Sequence, residues 1–240
     1  MKCFILNKLF GTCLLATISF SFGYAEDSSL TSLTDVDMRC FRHHASSSSS
    51  EIIPRNQVTR CVVDSINAWQ VRAVYLKAGI ESIIKDLAGN ELFNVNQQLM
   101  QNAFIINRLV VGPGEACTPN SLNNLLNNQS ELIFVYVRSL VSGSTGDQNT
   151  AIAALNKNLK RITRSIIDQT TDKNTANRIR SVLRRSLNAT IEVSQNFVTA
   201  LAVAPPGTEV NFDAAYASYL DSINAAEQVG RVMGLTFCNR

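Results

Sequence analysis

The sequence predicts an all-α fold, an antiparallel up-down helical bundle of about six helices preceded by a disordered N-terminal arm. Three observations predict it. Apolar residues recur at spacings of three and four in six successive stretches, no comparable stretch alternates with period two, and the connections are short and marked by Gly or Pro. At 240 residues, 45% hydrophobic and 17% charged, with 11 Gly and 5 Pro, the chain can bury a sizeable core. The same composition excludes collagen and low-complexity arrays.

The elements follow in order. Val62, Ile66, Trp69, Ala73, Leu76, Ile80, Ile83 and Leu87 form an unbroken seam of two apolar positions per heptad, starting near residue 58. Gly89 and Asn90 read as a helix stop followed by a fresh N-cap. A second helix carries Leu92, Leu99, Ala103, Ile106 and Val110 inward and stops at Gly112-Pro113-Gly114. Thr118-Pro119 reads as an N-cap with proline at the first helical position, opening a third helix through Leu122, Leu126, Ile133, Tyr136 and Leu140. After a loop at 142–146, Ile152, Leu155, Leu159, Ile162 and Ile166 make a fourth seam. Asp172 can cap a fifth helix, Ile179 to Phe197, which breaks at Pro205-Pro206-Gly207. Phe212, Tyr216, Tyr219, Ile223, Ala226 and Met233 make the sixth.

The first quarter of the chain is of another kind. Residues 1–25 read as a signal peptide: Lys2 and Lys8 begin it, Leu9 to Phe22 is free of charge, and Gly23 and Ala25 suit cleavage before Glu26. Residues 26–56 lack periodicity and hold the run Ser46–Ser50, so they are expected to form a mobile Ser-rich arm, with 57–240 as the helical bundle domain. The expected location is secreted or periplasmic, at the cell envelope. No later apolar run is long enough to span a membrane, so no integral membrane segment is expected after processing.

Processing would leave Cys40, Cys61, Cys117 and Cys238, and four cysteines in an exported protein predict two disulfides. In an up-down bundle the start of the first helix and the ends of the second and sixth share a pole. Helix parity therefore brings the cysteines together, and of the three connectivities Cys61–Cys117 with Cys40–Cys238 is favoured.

Trp69-x-x-Arg72, Leu99-Met100-Gln101-Asn102 and Leu122-x-x-Leu125-Leu126 resemble the pattern of a group of small uncharacterised bacterial helical-bundle proteins, over roughly residues 66–235. Some members carry loose transferase or kinase labels. The resemblance implies histidines where this chain has Gln129 and Ser186, and an acid where it has Ile105. If the group uses those side chains together, for instance on a metal, this chain lacks them.

The residues also speak for themselves. On a helical projection Gln129 falls inside the apolar arc of the third helix, and Ser186, Thr190 and Ser194 inside that of the fifth. Arg72 and Asn102 flank theirs. The pattern predicts a buried polar layer, either fixing helix register or forming a small-ligand site at Arg72, Asn102, Gln129 and Ser186.

Histidine occurs only at His43 and His44, in the arm, so the helical body is expected to hold no metal site and no Ser-His or Cys-His pair. There is no nucleophile elbow and no phosphate-binding loop. Catalysis and cofactors are not expected.

Charge is uneven. Residues 157–185 hold nine bases against two acids, a net +7, whereas the mature chain as a whole would carry +1. Lys157, Lys160, Arg161 and Arg164 lie opposite the apolar seam of the fourth helix, and Arg180 and Arg184 continue the charge on the fifth. Such a face is either merely solvated or an anion-binding surface for an acidic glycan or a membrane. No aromatic residue lies within the segment, so nucleic acid is not an expected partner. The sequence therefore points to an exported, disulfide-stapled bundle with a non-catalytic binding or cell-envelope role. The alternative is a small-ligand or catalytic protein built on the polar layer.

Overall fold

A computed structural model describes residues 55–85, 90–112, 121–203 and 210–238, all within the unit Cys40–Arg240. The signal peptide, the arm as far as residue 54 with His43 and His44, Cys40, Cys117, Thr118-Pro119 and the Pro205-Pro206-Gly207 break lie outside the described residues, whereas Arg55 and Asn56, expected at the end of the arm, already belong to the first helix.

Six helices account for nearly all of the described chain: α1 (Arg55–Ile84), α2 (Asn90–Val110), α3 (Leu122–Val141), α4 (Thr145–Ile167), α5 (Lys173–Val203) and α6 (Asp213–Phe237). The fold is an all-α up-down bundle. Named contacts give the directions. Gly79 of α1 packs on Phe134 of α3 while Arg72 meets Ser130, so α1 and α3 run together. Gly230 and Gly234 of α6 pack on Ile66 and Val62 of α1 in reversed order, so these two are antiparallel.

Each helix packs on the next, and α6 returns to α1, which closes a ring. Inside the ring the three odd-numbered helices also touch one another. The core of the bundle includes fully buried Ile80, Leu126, Ile133, Ile162, Ile179 and Phe197, among others. Burial at that density supplies the main favourable term of folding, about 25 cal/mol per Å² of apolar surface.

The predicted boundaries hold at several turns for local reasons. Gly112 adopts φ +90 after α2. Gly143 adopts φ +70 after α3, where its N–H donates to the Leu140 carbonyl and the Ser144 N–H to the Ser139 carbonyl. That paired bonding of a helix end needs a left-handed residue, which favours glycine. Ser144 then caps α4, accepting from the Asp147 N–H and donating to the Asp147 carboxylate at 2.6 Å. Asp172 caps α5 as expected, accepting from the Thr175 N–H at 2.8 Å and the Asn174 N–H at 3.2 Å. The α3 boundary differs from expectation: the helix starts at Leu122, with Ser121 as its N-cap.

The cysteine pairing is also corrected. Cys61 is joined to Cys238, with 5.7 Å between their Cα atoms, so neither Cys61–Cys117 nor Cys40–Cys238 is made. The reason is the seam between α1 and α6. Gly230 and Gly234 let α6 lie directly on the α1 backbone at Ile66 and Val62, which delivers the end of α6 to the start of α1.

Candidate functional site

Arg72 sits mid-way along α1 and is 2% exposed. A buried arginine is rare, because a guanidinium loses its hydration on leaving water. Its Nη2 donates to the Leu126 carbonyl and, at 2.8 Å, to the Ser130 hydroxyl, both on α3. Ser130 in turn donates to the same carbonyl at 3.2 Å. The Nε and Nη1 groups have no hydrogen-bond partner. Burial pushes the Arg72 guanidinium well below its ordinary pKa, to about 9.

Beside the guanidinium lies a small cavity where α1, α3 and α5 converge. Its polar lining is Arg72, Gln129, Ser186 and Thr190, and Trp69 and Ile162 are among its apolar walls. About 20 Å³ is open there to the centre of a water-sized sphere. One water needs about 10–15 Å³ by that measure.

The predicted layer is therefore brought together only in part. Arg72, Gln129, Ser186 and Thr190 share one cavity. Asn102 does not line it: α2 approaches α1 elsewhere, and the buried Asn102 amide donates to the Ala68 carbonyl at 2.8 Å. Ser194 is fully buried, but its hydroxyl is spent on the Thr190 carbonyl. Thr190 likewise donates to the Ser186 carbonyl at 3.0 Å, keeping its lone pairs free to accept. Sequence reasoning missed Ser130, the hydroxyl that anchors Arg72. Its position one turn beyond Leu126, on the apolar arc of α3, was the available signal.

The basic residues occupy the outside of the bundle. Lys157, Lys160, Arg161 and Arg164 are exposed on α4, opposite the buried Leu155, Leu159, Ile162 and Ile166. Arg180 and Arg184 are exposed on α5. Arg180 donates to the Asn177 side chain of its own helix at 2.8 Å. Among the described residues no group of three or more His, Cys, Asp or Glu side chains could hold a metal ion, and no helix is long and apolar enough to cross a membrane.

No family model, no curated protein and no solved structure matches the chain.

Proposed function

We propose that the protein is an exported, disulfide-stapled bundle that binds without catalysing, its exposed basic residues contacting an anionic glycan or membrane surface. The observation that carries this reading is the outward placement of Lys157, Lys160, Arg161 and Arg164, whose helix turns its apolar stripe into the core. A helix displays these four charges together on one face without disturbing the fold, which suits an extended anionic surface better than a single small ligand. The interior supports the non-catalytic half of the reading. The polar lining of the central cavity is one guanidinium, one amide and two hydroxyls, with no carboxylate or imidazole to move a proton.

The test is a triple substitution, Lys160→Ser with Arg161→Ser and Arg164→Ser. Wild-type protein should be retained on a heparin matrix and on vesicles containing anionic lipid, and the retention should fade at high salt as screening shortens the field. The triple variant should keep its helicity and lose most of the retention. Equal retention of the two proteins at low salt would refute the reading.

A further inference from the structure

Arg72 is the one charged side chain buried among the described residues. Its two hydrogen-bond partners, the Leu126 carbonyl and the Ser130 hydroxyl, carry no net charge. Even at a pKa of about 9 the guanidinium is protonated at neutral pH. A full positive charge and the N–H groups on Nε and Nη1 thus sit uncompensated in the bundle interior. Proteins rarely tolerate that arrangement, because an unpaired buried ion costs far more than a lost hydrogen bond.

We infer that the cavity beside Arg72 is a binding site for one compact monoanion, of chloride or formate size, held by the guanidinium with donors from Gln129 and Ser186. Three features select that ligand. The cavity is too small for a sugar, a nucleotide or a phosphate ester, since about 20 Å³ is open within it. Its polar lining includes the Arg72 N–H groups, the Gln129 amide and the Ser186 hydroxyl as donors, and no acidic group. Its walls are largely apolar, so a charge pair formed there is screened less than one at the surface. A water molecule would fill the same space and accept one or two hydrogen bonds, but it would leave the charge uncompensated. An anion removes both deficits at once. The site is independent of the exposed basic face, and its ligand would bridge α1, α3 and α5.

The experiment measures thermal unfolding of the full chain in sodium chloride and in sodium gluconate at one fixed ionic strength, gluconate being too large to enter. Chloride should raise the melting temperature by about 3–5 °C per tenfold increase once it exceeds its dissociation constant. The Arg72→Met variant should lose that rise. Formate sorts the two anion classes: a larger rise than with chloride assigns a one-carbon carboxylate, and a smaller one a halide. Should Arg72→Met fail to fold, wild-type crystals grown in bromide decide the question, through an anomalous peak within hydrogen-bonding distance of Arg72 Nε or Nη1. Identical melting in chloride and gluconate, or a water at that position in saturating bromide, would overturn the inference.

Discussion

A Cβ placed on Gly230 would lie 2.5 Å from the Ile66 Cα, closer than any side-chain carbon can approach a backbone atom. The helices α1 and α6 meet there backbone to backbone, and the pairing of the chain's two described ends depends on that contact.

Gly230→Ala should therefore destabilise the fold in spite of alanine's better helix propensity, by about 1–3 kcal/mol, because the helices must separate. Gly146, near the start of α4, has open space around it. Gly146→Ala should be neutral or stabilising by up to about 1 kcal/mol. Chemical denaturation of both variants checks the pair, and equal effects would mean that the α1–α6 contact is looser than described.

Non-reducing peptide mapping should recover Cys61 linked to Cys238. In a chain cleaved before Glu26, Cys40 and Cys117 are then the one pair left to form within the molecule. Replacing Cys61 and Cys238 together by Ser should lower stability by about 2–5 kcal/mol, since the bond closes a span of 177 residues. Recovery of Cys61 linked to Cys117 would restore the pairing favoured by helix parity alone.

The depressed pKa of Arg72 has an unusual sign. Above pH 9 the unfolded chain still holds a proton on this group that the folded chain has released, so its contribution to stability rises with pH. In gluconate, wild type should gain about 1 kcal/mol relative to Arg72→Met between pH 8 and pH 10. The raised Tyr136 phenol works the other way, favouring the folded state less as pH climbs past 10, but it is common to both proteins. A stability difference that stays constant over that interval would place Arg72 in a more polar setting.

Lys77 has its ammonium 5.1 Å from the ring centre of Tyr216, 5.4 Å from that of Tyr219 and 6.0 Å from that of Phe197, and 2.8 Å from the Glu81 carboxylate. This cluster ties α1 to α5 and α6 through charge and aromatic faces together. Lys77→Met keeps the stem and removes the charge, and it should cost about 0.5–2 kcal/mol. A double-mutant cycle with Tyr216→Leu should show coupling between the two positions, and strict additivity would remove the ring contact as a stabilising interaction.

Much of this architecture was legible in the sequence because the seams are strictly periodic and the stops are chemical: Gly143 and Asp172 end or begin helices by bonds their own side chains or backbones make. Residues 65, 72 and 79 were harder. Ser65, Arg72 and Gly79 interrupt the apolar pattern of α1, yet all three are buried, because α1 touches α2, α3 and α5 as well as α6 and its covered arc is far wider than a two-per-heptad seam. Periodicity reports how many residues are apolar, not how many neighbours a helix has. The disulfide failed for a related reason. Parity chose the correct pole but could not rank the neighbours at it, and the ranking came from Gly230 and Gly234, whose missing side chains leave no mark on an apolar count. In the polar layer, Gln129 and Ser186 were legible as inward positions, whereas the exclusion of Asn102 required knowing which side of α1 the second helix takes.

The bond between Cys61 and Cys238 makes the intervening polypeptide a covalent circle. A protease that nicks any one peptide between them, the exposed turn at 142–143 included, opens the circle but liberates no fragment: both pieces stay attached until the sulfurs are reduced. The helices on either side of such a nick remain packed against the same neighbours, so a singly cut molecule should migrate as intact protein without reductant and as two bands with it. Damage to this protein in an oxidising, protease-rich setting would accumulate silently, as hidden breaks in a body that keeps its mass.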